Sequence, residues 1–311
     1  MRYRTLGNTG LRVSILGLGG SSLGSAFKKV DEAEAMRTVH VAIDHGVNFI
    51  DTAPFYGLTT AETILGKALR GISRERYYLA TKVGRYGNDA KDFDFSAERV
   101  TVSVDESLAR LGTDYVDFIQ VHDMEFADME LIVNETIPTL RKVQASGKAR
   151  FIGITGFPIG LFRYVLERTD VDQIQSYCHY CLNNTSLESL LPFLKDKKAG
   201  IVNSAPLAMR LLSSEGPPPW HPASTEGKAC CAEAAEFCRR NGRDIGKLAL
   251  QFSVANPDIH TNIVGTANPD RILQNISDID LPLDVELLSK VLEILAPIHN
   301  VTWTSGRPEN N

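Results

Sequence analysis

Short runs of β-branched and aromatic residues alternate with longer amphipathic runs along nearly the whole chain. That is the pattern of a parallel sheet whose strands are joined by crossover helices. After a hairpin, Tyr3 to Ser14 with its turn at Gly7-Asn8-Thr9-Gly10, the pattern predicts strands at Leu16 to Gly20, Val47 to Asp51, Tyr77 to Val83 and Tyr115 to Val121. Further strands follow at Ala149 to Ile154, Asp172 to Tyr177, Gly200 to Ser204 and Thr261 to Val264. Between them a helical period marks Glu32 to Asp44, Thr60 to Leu69, Ala97 to Leu111, Leu131 to Ala145, Leu161 to Glu167, Leu187 to Leu194, Lys228 to Arg240 and Asp270 to Ser277. An extra helix, Leu283 to Leu295, comes after the eighth unit. Eight strand–helix units predict an α/β fold, a (β/α)8 TIM barrel, as a single domain over residues 1–311.

Two segments break the alternation: Ala208 to Gly227, with Gly216-Pro217-Pro218-Pro219-Trp220-His221-Pro222, and the tail after Pro297. Loops this long in a compact fold are often functional, and both fall where a barrel carries substrate loops; a plain surface loop and a frayed terminus are the alternatives.

Composition narrows the function. With 33 Lys+Arg against 38 Asp+Glu among 311 residues, the formal charge is −5, and 43% of residues are hydrophobic. No basic run offers a footprint for nucleic acid or an anionic membrane, and no stretch approaches the about 18 to 20 apolar residues of a bilayer span. The start of the chain lacks the apolar core of a signal peptide, so a cytoplasmic protein, monomer or homodimer, is expected. Five cysteines, Cys178, Cys181, Cys230, Cys231 and Cys238, are an odd and scattered set that reads as reduced thiols. Cys178-His179-Tyr180-Cys181 has no second pair of ligands elsewhere, so no metal is expected.

In a barrel the chemistry lies at the carboxyl ends of the strands. Asp51 ends the second predicted barrel strand, Tyr56 follows it in the loop, Lys82 ends the third and His122 the fourth. Neighbouring parallel strands lie about 4.8 Å apart, so the four groups can converge on one cleft. An ammonium about 4 Å from a phenol is worth roughly 4 kcal/mol at an effective dielectric near 20, enough to lower a Tyr pKa toward neutrality, with desolvation opposing. Asp51 would hold Lys82 charged, and His122 would hydrogen-bond the substrate oxygen. Such a set exchanges a proton with an alcohol or carbonyl oxygen while hydride moves elsewhere. Gly17-Leu18-Gly19-Gly20 lacks the acidic partner of a Rossmann phosphate loop and reads instead as a first barrel loop, with Gly20 and Ser21 approaching a cofactor.

Phe49-Ile50-Asp51-Thr52-Ala53-Pro54-Phe55-Tyr56-Gly57, the Lys82 and His122 strand ends, and Gly153-Ile154-Thr155-Gly156-Phe157 resemble the aldo-keto reductase family. The resemblance implies a nicotinamide cofactor and a catalytic tetrad on Asp51, Tyr56, Lys82 and His122. It puts the nicotinamide-amide contacts on Thr155, Gly156 and Gln175, although the usual Ser-Asn pair is Thr155-Gly156 here, and Ser204 stands where an aromatic residue commonly stacks on the ring. Ser204, Pro206 and Leu207 would border the cofactor, and Ile263 to Asn275 is similar to the family's adenosine-binding stretch, with Gly265, Thr266, Arg271, Gln274 and Asn275 as its contacts. Members using NADP generally carry Lys at the position of Gly265, so NAD is implied over NADP, while Arg271 could pair a 2′-phosphate or stack on adenine. The segments around Arg85-Tyr86, His122-Asp123-Met124-Glu125-Phe126, Ser176 to Tyr180 and Pro218 to Ser224 resemble the branch that oxidises L-galactose, with L-fucose and related aldoses nearby. That implies NAD-dependent oxidation of L-galactose at C1 to the lactone, with Arg85, Tyr86, His122, His179, Trp220 and His221 as sugar contacts. The alternatives are another aldose dehydrogenase, a general NADPH-dependent aldehyde or keto reductase, and a cofactor-binding regulatory subunit.

Overall fold

A computed structural model describes residues 1–25 and 29–311. An antiparallel hairpin, β1 (Tyr3–Thr5) and β2 (Arg12–Ser14), precedes eight parallel strands that close a barrel. These are β3 (Leu16–Gly19), β4 (Phe49–Asp51), β5 (Tyr78–Val83), β6 (Val116–Val121), β7 (Ala149–Gly156), β8 (Gln173–Tyr177), β9 (Gly200–Ser204) and β10 (Thr261–Gly265), with β10 pairing back onto β3. The strands lie within a residue or two of the positions read from the sequence. The fold is therefore the (β/α)8 barrel.

Helices α1 (Glu32–Asp44), α2 (Thr60–Leu69) and α3 (Ala97–Leu111) follow β3, β4 and β5. Ser96 caps α3 by accepting from the Arg99 amide, and Gly112 ends it in the left-handed region. After β6 come α4 (Met129–Leu131), a π-helical stretch Ile132–Thr136 and α5 (Ile137–Ala145), so the helix expected as one piece carries a wide turn in its first half. Helices α6 (Ile159–Leu166) and α7 (Leu191–Asp196) follow β7 and β8, and a 3-10 turn, Ser186–Leu190, replaces the first half of the helix expected there.

Between β9 and β10 lie two helices, α8 (Thr225–Arg240) and α9 (Ile245–Ala255), where the sequence pattern indicated one. In α9, Ile245, Leu248, Ala249, Leu250, Gln251, Ser253 and Val254 are all buried. A helix covered on most sides lacks the polar stripe that makes the helical period visible. Helices α10 (Pro269–Asp278) and α11 (Val285–Leu295) follow β10, with short 3-10 turns at Ala296–Ile298 and Pro308–Asn310 after them.

The bottom of the barrel is plugged by the hairpin. Leu6, Leu11 and Val13 pack with Phe49, Phe118, Val202 and Ile263, and Phe118 stacks on Phe151 at 5.3 Å. Gly7 is left-handed and lies on the backbone at Gly200, where a Cβ would come within 2.4 Å, so the plug fits only without a side chain there. A second apolar cluster joins α8, α9 and α11 to the loop after β9 through Leu211, Leu212, Cys231, Leu248 and Val291. Closing one end with apolar side chains leaves the opposite, carboxyl end open to irregular loops. No helix among the described residues is long and apolar enough to cross a membrane.

Candidate active site

The carboxyl ends of β4, β5 and β6 bring Asp51, Lys82 and His122 together, and the loop after β4 adds Tyr56. Lys82 Nζ donates to Asp51 Oδ1 and Oδ2 at 2.8 and 2.7 Å and to the Thr52 carbonyl at 2.8 Å, and it lies 3.3 Å from the Tyr56 hydroxyl. Both charged residues are buried. A layer of glutamines supports the pair: Gln120 Nε2 donates to Asp51 Oδ1 at 3.0 Å, Gln175 Nε2 reaches Oδ2 at 3.5 Å, and Gln173 Nε2 donates to Gln120 Oε1 at 2.8 Å. Gln120 and Gln173 were not among the sites read from the sequence. The signal was there, since Phe118, Gln120 and His122 alternate on one face of a strand and the middle one is polar.

Burial and charge compete at each group. Burial lowers the Lys82 pKa, and Asp51 together with Tyr56 more than restores it, so the ammonium is held above its ordinary value. The Tyr56 phenol is pushed up to about 12, because its desolvation outweighs the attraction of Lys82. The expectation of a phenol brought toward neutrality by Lys82 is thereby corrected: in a site this dry, removing water costs the phenolate more than one shared ammonium returns. His122 sits edge-on to the Tyr56 ring at 5.5 Å and 89°. Burial drops its pKa to about 3, so the imidazole is neutral, and its Nδ1 has no hydrogen-bond partner. A neutral phenol beside a neutral imidazole can offer two hydrogen-bonding groups to a single oxygen.

The next layer is a cage at the mouth. Asp123, in the left-handed region, donates its amide to Thr155 Oγ1 at 3.0 Å and pairs its carboxylate with Arg85. The Arg85 guanidinium lies 3.7 Å over the Phe55 ring. Tyr86 turns the other way: its hydroxyl accepts from the Gly84 amide at 3.0 Å, and its ring lies under Arg99. His179 is buried, 4.5 Å from the Phe157 ring, with its pKa down to about 4. Both ring nitrogens of His221 serve the main chain, at Ala208 and Ala223, while Trp220 beside it is 57% exposed. Of the six residues expected to contact a sugar, His122 and Arg85 thus lie with Tyr56. His179 and His221 belong to an aromatic cluster with Phe157 and Trp303.

The ends of β7, β8 and β9 carry polar atoms suited to a flat polar ligand. Gln175 Oε1 and Ser204 Oγ are buried without partners, and a Cβ at Gly156 would meet Glu125 Oε2 at 3.1 Å. At the end of β10, a Cβ on Gly265 would stand 3.0 and 3.1 Å from the hydroxyls of Ser22 and Ser21, which brings Gly20-Ser21 to Gly265. Helix α10 then starts, with Asn268 accepting from the Arg271 amide at 2.9 Å and Thr266 Oγ1 accepting from the Asn268 amide at 3.1 Å. Arg271 is exposed on its first turn and Asn275 is half-buried, while Gln274 is held by Asp278 at 2.9 Å. Pro206 and Leu207 lie in a loop where Ala205, Ala208, Met209 and Arg210 all have positive φ, a strained path of the kind found at functional sites. Unpartnered polar atoms beside the tetrad and a helix N-terminus at the last strand fit a dinucleotide.

Residues 15–296 match the aldo/keto reductase family, and the chain belongs to it. It is 49% identical to the L-galactose dehydrogenase of Arabidopsis thaliana, over 100% of this chain and 99% of that one. It is 33% identical to the D-arabinose 1-dehydrogenase of Saccharomyces cerevisiae over 78% of this chain and 76% of the relative. Among solved structures, the holo form of an aldo-keto reductase from Bacillus halodurans superposes with a TM-score of 0.81 at 27% identity, covering 98% and 99% of the two chains. The protein is an oxidoreductase of a family that works with nicotinamide cofactors.

Replacing Lys82 by Met would leave the buried Asp51 carboxylate with only glutamine amides. Losing one partner of a buried ion pair costs about 3 to 5 kcal/mol, so Lys82→Met should lower the urea midpoint accordingly at unchanged slope. An unchanged midpoint would show that the pair does not hold the strand ends.

Proposed function

We propose that the chain, as one barrel domain, oxidises L-galactose at C1 to its lactone, with NAD as hydride acceptor. The observation that carries this reading is the 49% identity to an L-galactose dehydrogenase over the entire chain, substrate loops included. The geometry supports it. The anomeric hydroxyl of the cyclic sugar lies between the Tyr56 oxygen and His122. Its proton passes to the ionised Tyr56 oxygen, and a nicotinamide held beside Thr155, Gly156 and Gln175 would supply the hydride acceptor for C1. C1 becomes the carbonyl carbon of a lactone. Lys82, fixed by Asp51, stabilises the phenolate, and neutral His122 hydrogen-bonds the sugar oxygen without adding a charge.

Thr155, Gly156 and Gln175 would meet the nicotinamide amide, with the unpartnered Gln175 oxygen accepting from it. Arg85 stands where a second sugar hydroxyl can reach it. The five free thiols suit a reducing compartment, hence a cytoplasmic setting. One observation favours the reverse direction as a second reading: a phenol with a pKa of about 12 is a ready proton donor, as carbonyl reduction requires.

Three measurements test this assignment. The first is kcat/KM for L-galactose, L-fucose, D-galactose and a simple aromatic aldehyde, with NAD and with NADPH. L-galactose with NAD should lead, because a site built to bind hydroxyls rejects analogues lacking them. Efficient aldehyde reduction with no L-sugar oxidation would overturn it, and cofactor binding with no turnover of any substrate would favour a regulatory subunit. The second concerns Tyr56. Because burial raises the phenol, the base form is scarce near pH 7, so oxidation should accelerate as pH rises from about 7 to about 9, and Tyr56→Phe should cut turnover by at least about a hundredfold with cofactor affinity intact. Turnover near wild type would remove Tyr56 from the role. The third is Gly265→Lys, which should shift preference toward NADP by about 1 to 3 kcal/mol once the Ser21 and Ser22 hydroxyls rotate aside. A wild-type enzyme already preferring NADP would refute the role given to Gly265.

A further inference from the structure

Beyond α11 the chain crosses the mouth of the barrel from the loops after β8 and β9 to the loop after β6. The Asn300 amide donates to the Asn183 carbonyl at 3.0 Å. Trp303 then stacks on Phe157, centroids 4.8 Å apart, and meets the His221 ring at 5.5 Å. From there the anchors converge on the loop after β6, chiefly on Glu125, a residue the tetrad does not use. Ser305 Oγ donates to Glu125 Oε1 at 3.0 Å, the Arg307 amide donates to its carbonyl at 2.9 Å, and Asn310 Nδ2 donates to the same carbonyl at 2.8 Å and to that of Ala127 at 2.9 Å. Gly306, at φ +79°, lies so close that a Cβ would come within 2.2 Å of the Glu125 carbonyl.

The Glu125 carboxyl is wholly buried. Tyr177 Oη also donates to Oε1, at 3.4 Å, whereas Oε2 makes no hydrogen bond of good geometry, with the Phe157 main chain nearby. The groups facing it are Asp123 from its own loop, Tyr177 from β8 and Ser305 from the tail. Met124 and Gly156 add no charge. Arg85 is engaged by Asp123, and the Arg307 side chain turns away to Glu309 at 2.7 Å.

We propose that Glu125 is a positioning residue, the clasp that fastens the tail across the mouth and so sets Trp303 as a wall of the sugar-binding end of the cleft. The description of that end as sugar-binding rests on the function proposed above; the clasp itself does not. Burial and the neighbouring Asp123 charge push the Glu125 carboxyl up to about 8. Lifting the tail exposes it to water and returns it toward its ordinary value of 4.5. Docking is therefore strongest in acid and weakens as pH rises from about 4.5 to about 8, since the ionised form favours the lifted tail.

The test reads the tail directly. The chain has two tryptophans, so Trp220→Phe leaves Trp303 as the sole indole, whose acrylamide quenching reports exposure. In that background quenching should climb at least about twofold between about pH 6 and pH 9; burial lowers the pKa of His221, which also meets Trp303, and the Glu125→Gln profile separates any contribution from that ring. Glu125→Gln keeps the acceptor and cannot ionise, so its profile should be low and flat. Glu125→Ala should quench strongly at every pH and, with Trp220 restored, raise KM for L-galactose at least about fivefold with kcat within about twofold. A pH climb retained in Glu125→Gln, or quenching in Glu125→Ala equal to that of its parent, overturns the clasp. Release of Trp303 with KM unchanged overturns the wall. Quenching as expected in a protein that oxidises no sugar supports the clasp while removing the proposed substrate.

Discussion

The contact on which the site depends is the buried ion pair between Lys82 and Asp51. Two opposite charges at 2.7 Å, both out of water, are tolerable only if their remaining hydrogen-bonding capacity is met. The barrel meets it with the Thr52 carbonyl, the Tyr56 hydroxyl and the glutamine layer of β6 and β8. Because each partner stands on a different strand, satisfying the pair fixes the relative heights of β4, β5, β6 and β8. The same requirement places the Tyr56 oxygen beside the ammonium.

Around that pair the protein suppresses charge. Burial leaves His122 and His179 as neutral imidazoles, Tyr56 as a phenol and Glu125 largely as a carboxylic acid at neutral pH. What remains is a set of uncharged donors and acceptors next to two balanced ion pairs, Lys82 with Asp51 and Arg85 with Asp123. Such a surface suits a neutral polyhydroxylated ligand, because a hydroxyl gains a hydrogen bond from it without having to neutralise a buried charge. Aromatic faces from Phe55, Phe157, Tyr177 and Trp303 limit the water that would otherwise compete.

The rigid part and the irregular part of the molecule divide the work. Strand pairing and the hairpin plug hold one end, while the loops at the other take backbone conformations that L-residues seldom adopt: Asp123 after β6, Cys178 after β8, and Ala205 with Ala208 to Arg210 after β9. Such conformations persist only where surrounding contacts over-determine them. Here His221 holds the Ala208 carbonyl at 2.9 Å, and Thr155 holds the Asp123 amide.

Much of this was legible in the order of residues alone. The eight strands show because a buried parallel strand is a local apolar run, and Asp51, Tyr56, Lys82 and His122 stand out because polar groups at strand ends interrupt such runs. Helix α9 stayed hidden for the opposite reason: burial on most sides erases its period. Tertiary structure alone decided the protonation states, since desolvation sums over every neighbour and reversed the expectation for Tyr56. It alone turned Tyr86 toward Gly84 and His221 toward the main chain. It also joined Ser305 to Glu125 across 180 residues. No periodicity encodes a contact of that range, because periodicity records only what each residue shares with its neighbours in the chain.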